Sequence, residues 1–155
     1  MGFCACNNAK NEAPFEVLTI ENKTINLNDR YDRVLVILSS TEKCHQCFKE
    51  VSACINIWKK SAKSEIKVVS LIYVNGDGAA EKQQSIADMK ELLTVDENYF
   101  TNINKNRNKY IDKNALSPAL FLLKSNKVAT LPFEKMFSDG VDMYKVITGF
   151  LAENA

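Results

Sequence analysis

Val34-Leu35-Val36-Ile37-Leu38-Ser39-Ser40-Thr41-Glu42-Lys43-Cys44-His45-Gln46-Cys47 is the stretch that decides how this chain folds. Its first five residues are apolar and do not alternate with polar ones. Such a run reads as a strand buried on both faces, at the centre of a sheet. A short polar loop, 39–43, follows. Beyond Cys47 the residues Val51, Cys54, Ile55 and Trp58 recur at spacings of three and four, which predicts a helix over 44–60. The order is strand, loop, CxxC, helix. A helix start offers free N–H groups and partial positive charge to Cys44, which favours thiolate, the nucleophilic form. Cys47 lies one turn inward, close enough to close a disulfide. The same spacing also serves as half of a zinc site, but zinc needs two further ligands. No second CxxC or HxxxH exists, and His45 is the only histidine. An inert pair is the remaining reading.

The chain has 155 residues, 46% hydrophobic and 25% charged, with a formal net charge of +1. That composition suits one soluble globular domain with a real core. The charge balance argues against nucleic acid as a partner. Acids and lysines are interspersed, as on solvated helix faces.

Outward from the central strand, residues 15–20 alternate apolar and polar, and 24–27 read as a short returning strand after the turn 21–23. Residues 66–74 form a second central strand, broken by Asn75-Gly76-Asp77-Gly78. Ile86, Met89, Leu92 and Leu93 give 79–93 a helical face. Tyr99-Phe100 suggests a very short strand, and 106–114 a short helix. Pro118-Ala119-Leu120-Phe121-Leu122-Leu123 is a strong strand, turned at 124–127 into 128–131 and stopped by Pro132. Residues 141–152 form a last amphipathic helix. The pattern is α/β, with crossovers covering both sheet faces.

The CxxC after a buried strand, the Ser117-Pro118 before another, and the closing hairpin and helix together resemble the thioredoxin fold. The hairpin over 15–27 and the helical insertion before Pro118 are similar to the TlpA/ResA branch, membrane-tethered thiol–disulfide oxidoreductases of the cell envelope related to the peroxiredoxins. The resemblance covers about residues 13–151. It implies a three-layer domain over 14–155, with a central mixed sheet, helices on both faces and an extra N-terminal β-hairpin. It also implies that Cys44–Cys47 cycles between disulfide and dithiol against protein substrates and a redox partner protein, with no cofactor and as a monomer. In the family a cis-proline faces the CxxC, and Pro118 matches it. The backbone of Ser117 would then pair with the substrate chain. The sequence departs from the family in lacking Trp before the first cysteine and proline between the two. Leu38 stands where many thioredoxins carry a buried acid.

Within this reading Cys44 attacks and Cys47 is the buried resolving sulfur. Protonated His45 would further stabilise the Cys44 thiolate; its other reading is an exposed helix-start residue. Cys54 and Trp58 are expected in the core, Cys54 alternatively as a third redox thiol. Two rival functions remain open. A peroxiredoxin-like peroxidase would use Thr41-Glu42-Lys43-Cys44 as its Thr-x-x-Cys motif. A non-enzymatic copper or zinc binder would use Cys44, His45 and Cys47, joined by Cys4 and Cys6.

Residues 1–13 are polar and carry Cys4 and Cys6, so they read as a flexible tether. Phe3-Cys4-Ala5-Cys6 resembles a weak lipobox with Cys6 lipidated. Gly2 myristoylation with acylated Cys4 and Cys6 is an alternative, and two incidental cysteines a third. A lipidated Cys6 would put the domain on the periplasmic side of the cell envelope. The alternative locations are the cytoplasm or the cytoplasmic face of a membrane.

Overall fold

Successive side chains of each strand point to opposite faces of the sheet and divide the core into two halves. In the computed structural model, which describes residues 15–40, 45–74, 83–84, 87–88, 91, 95–102, 110, 118–125 and 127–154, the elements run β1 (Glu16–Leu18), β2 (Thr24–Asn26), α1 (Leu27–Arg30), β3 (Arg33–Ser40), α2 (His45–Ala62), β4 (Lys67–Val74), β5 (Glu97–Asn102), β6 (Ala119–Lys124), β7 (Lys127–Leu131), α3 (Phe133–Met136) and α4 (Met143–Asn154). Five strands form one mixed sheet in the order β5-β4-β3-β6-β7, and β1 and β2 form a separate hairpin. β3 is central, parallel to β4 and antiparallel to β6.

On one face Leu35 and Ile37 of β3 and Leu120 and Leu122 of β6 pack with Phe48, Val51 and Ile55 of α2 and Ile147 and Leu151 of α4. On the other, Val34, Val36 and Leu38 join Phe121 and Leu123, covered by Phe15, Val17 and Leu27 from the hairpin and α1. Both faces of β3 are therefore sealed, which is why its sequence shows no alternation. Phe15 stacks on Tyr110, with ring centroids 5.6 Å apart, and tilts against Phe121 at 5.5 Å. The expected three-layer arrangement with an N-terminal hairpin is present.

The hairpin is fastened at both ends. The Phe15 N–H donates to Asn28 Oδ1 at 2.5 Å, and Asn28 Nδ2 donates to the Ser125 carbonyl at 2.7 Å. At the far end Thr19 bridges to Thr101, and the Ile20 N–H donates to the Phe100 carbonyl at 2.9 Å.

Three local expectations need correction. Leu27 opens a helix rather than ending a strand, because Asn26 caps it, accepting from the Asn28 N–H at 3.1 Å. The strand expected only at Tyr99-Phe100 runs from Glu97 to Asn102, paired with β4 in register from Val69 to Val74. Pro132 does not merely end β7; it is the N-cap of the one-turn helix α3. Of the helix expected over 79–93, residues 83–84, 87–88 and 91 are described, and they are helical and exposed. They trace the polar face that such a helix turns outward. The remainder of that helix, the expected helix at 106–114 and the N-terminal segment with Gly2, Cys4 and Cys6 lie outside the described residues, except for Tyr110.

Candidate functional site

β3 ends at Ser40 and α2 begins at His45, so the carboxyl end of the central strand meets the amino end of the longest helix among the described residues. Cys47 occupies the first turn of α2, is half-buried, and is disulfide-bonded. His45, also half-buried, is the first residue of the helix. Gln46 donates its Nε2 to Glu50 Oε1 at 3.2 Å, which pairs two side chains on the exposed face of α2. Cys44, Thr41 and Ser117, and with Ser117 its peptide bond to Pro118, lie outside the described residues. The expectation of a buried Cys47 is corrected to a half-buried one: it sits at the open end of the stripe whose inner members Val51 and Ile55 are sealed against β3.

Pro118 is buried and directly precedes β6. Its placement follows from strand register. Leu38 pairs with Ala119 and Ile37 with Leu120. One step further the same antiparallel register brings Pro118 level with Ser39. Opposed residues in an antiparallel pair share a sheet face. Ile37 and Leu120 face α2, Leu38 and Ala119 face the other way, and so Ser39 and Pro118 return to the α2 side. The fold thus brings Pro118 to the end of the sheet that carries Cys47.

Leu38, which stands where many thioredoxins carry a buried acid, belongs to the hairpin-side core. Leu38 therefore supplies no proton acceptor, and what the site holds on the α2 side is a hydroxyl. Ser39 is 1% exposed, and its Oγ has no hydrogen-bond partner among the described residues. Sequence reading places it in a polar loop. The signal that identifies it is parity: Leu35, Ile37 and Ser39 lie on one face of β3.

Cys54 is a free, half-buried thiol packed against the α2-side core, as is Trp58. Burial pushes the Cys54 thiol up, and the carboxylates of Asp142 and Glu50 push it further. A thiol held protonated is a poor nucleophile, which suits a packing role rather than a third redox centre. Among the described residues no group of three or more His, Cys, Asp or Glu side chains is placed to hold a metal ion. A cavity of about 680 Å3, lined by residues including Arg30, Tyr31, Arg33, Lys67 and Lys124, opens at the opposite end of the sheet and touches none of these site residues.

No family model matches this sequence, and no curated protein does either. Solved structures do match. An uncharacterised thioredoxin-like protein from Porphyromonas gingivalis aligns with a TM-score of 0.58 at 14% identity, over 96% of this chain and 94% of that one. The fold is thioredoxin-like. The thioredoxin domain of a thiol-disulfide oxidoreductase from Bacteroides vulgatus aligns at 0.51 and 11% identity, over 87% of this chain and 91% of its own. A secreted disulfide oxidoreductase from Mycobacterium tuberculosis aligns at 0.50 and 8%, covering 95% and 99%. In the thioredoxin-like domain described here, the CxxC helix is α2, the strand before it is β3, and the proline-led strand is β6. No helix among the described residues is long and apolar enough to cross a membrane.

Proposed function

We propose that this protein is a thiol–disulfide oxidoreductase that exchanges a Cys44–Cys47 disulfide with protein thiols and disulfides. The observation that carries this reading is a disulfide-bonded cysteine in the first turn of the helix after the central strand of a thioredoxin-like fold. Three residues back, Cys44 is its natural partner. Reduced, Cys44 attacks a substrate disulfide to give a mixed disulfide and releases one substrate thiol. Cys47 then attacks Cys44, frees the second substrate thiol and closes the ring. The N-terminal end of an 18-residue helix stabilises the thiolates that both steps need. His45 assists at Cys44, Pro118 shapes the facing wall, and the Ser117 backbone receives the substrate chain.

The domain spans 14–155, with 1–13 as a tether, and works in the cell envelope. A disulfide at Cys47 suits an oxidising compartment, and the secreted structural neighbour is consistent with it. A sulfur engaged in a disulfide favours exchange over the metal-binding alternative, and the Cys44 peroxidase reading gains nothing from Cys47 being bonded.

The test is trapping. Cys47→Ser should leave Cys44 in a long-lived mixed disulfide with a small disulfide reagent or with protein substrates. If Cys47 alkylates faster than Cys44 in the reduced wild type, the roles are wrongly assigned.

A further inference from the structure

Among the described residues, Ser39 is the one hydroxyl at the redox end of the α2 core that has nothing to bond. Its surroundings explain why. On the sheet it lies level with Ile72 of β4 on one side and Pro118 on the other. Ile72 is apolar and Pro118 has no N–H. Above it, α2 runs back along β3. Its residues Ile55, Val51 and Phe48 descend toward the helix start, while Leu35 and Ile37 lead up to Ser39. A helical turn of about 5.4 Å and a two-residue strand step of about 6.6 Å keep pace with each other. Ser39 is therefore level with the first turn of α2, the turn that holds Cys47.

A buried hydroxyl without a partner is destabilising, and native proteins rarely keep one without a reason. Here the orphan coexists with an oxidised Cys47, whose sulfur is neutral and a weak acceptor. We infer that the Ser39 hydroxyl is a redox-tuning contact, unpaired while Cys47 is in a disulfide and donating to the Cys47 sulfur once that disulfide is reduced. This rests on the oxidoreductase reading above and goes beyond it by naming the group that sets the poise of the pair. In the reaction, two equivalents of a donor thiol break the S–S bond and leave as the donor's own disulfide. Cys47 is left as thiol or thiolate, and the Ser39 O–H turns toward it without giving up its proton. Reduction thus gains a hydrogen bond and removes an orphan, so Ser39 makes the wild-type disulfide easier to reduce.

The test is Ser39→Ala, measured in two ways on the full chain. In glutathione buffers, the Ala variant should favour the disulfide about tenfold more than wild type, equivalent to about 30 mV. Ser39→Thr, which keeps the hydroxyl, should restore the wild-type equilibrium. In urea unfolding, Ser39→Ala should stabilise the oxidised protein and leave the reduced protein unchanged or weaker. If the orphan were purely structural, Ser39→Ala would instead stabilise both forms equally and leave the glutathione equilibrium where it was, which overturns the inference while the oxidoreductase reading stands. A wild-type protein that does not exchange with glutathione at all defeats the oxidoreductase reading, and this inference with it.

Discussion

Asp96→Ala should loosen the seam that joins α2 to the sheet. Asp96 sits just before β5, and its Oδ2 accepts from the Val68 N–H at 2.8 Å and from Lys59 Nζ at 2.9 Å. Its own N–H donates to the Val68 carbonyl at 2.9 Å. Alanine leaves the Val68 amide without its acceptor, a loss of about 1–3 kcal/mol. The ion pair adds less, about 0.2–1 kcal/mol, because both side chains are roughly three-tenths exposed. Together the loss is about 1–4 kcal/mol, or about 2–16 °C in Tm for a domain of this size. Asp96→Asn keeps an oxygen for Val68 and gives up only the charge, so it should cost about 1 kcal/mol or less. Burial alone would raise the Asp96 pKa, but the Val68 N–H and Lys59 together hold it below its ordinary 3.8. A depressed folded pKa means that the stabilisation is fully present above 3.8 and is lost as pH falls through the folded value. The gap between wild type and Asp96→Ala should narrow over that acid range. Urea unfolding of the three proteins from neutral pH down to about pH 3 measures this. Equal losses for Ala and Asn would refute the claim that the bond to the backbone amide stabilises more than the ion pair does.

Three further outcomes are expected. Pro118→Ala should slow disulfide exchange much more than it lowers stability; a variant that exchanges at the wild-type rate removes Pro118 from the site. Glu97 accepts from Tyr31 at 2.6 Å, from Arg30 at 3.2 Å and from Tyr99. Burial and the Glu97 carboxylate push the Tyr99 phenol up to about 12, so Glu97→Gln should bring its spectrophotometric titration down toward 10.0, and an unmoved titration would leave burial as the sole cause. Removing residues 1–13 should shift Tm by no more than a few degrees, whereas extending the cut through Phe15, which is fully buried and hydrogen-bonded to Asn28, should destabilise the domain severely.

Elements that bury continuous apolar surface were readable from the sequence. β3, β4 and β6 are sealed on both sides, so composition alone marks them, and α2 shows its stripe because one face meets the sheet. β5 was nearly invisible. Glu97-Asn98-Tyr99-Phe100-Thr101-Asn102 forms an edge strand whose polar side chains are consumed by tertiary partners, such as Tyr31 at Glu97 and Ser70 at Asn98. No periodicity announces such bonds in advance. α1 and α3 are single turns, too short for a repeat, although Asn26 with Asp29 (Nδ2 to Oδ2, 2.8 Å) was a usable capping signal. At the site, the spacing of Cys44 and Cys47 was plain. Ser39 was not, because a serine at a strand's end is written the same way whether it faces water or a helix.

The fastening of Phe15 to Asn28 and Ser125 has a geometric consequence. It fixes the point where the preceding chain departs, at the end of the sheet where β3 starts, while Cys47 stands where β3 finishes. Eight residues of strand separate these poles, about 23 Å at 3.3 Å per step. Any anchor acting through the leader therefore holds the domain by its heel. The Cys47 end of the sheet would then face away from whatever surface held such an anchor, and each extended residue of the preceding chain would add up to about 3.5 Å of reach. Lengthening or shortening that leader would change which neighbours the sulfur can meet without altering a single contact around it.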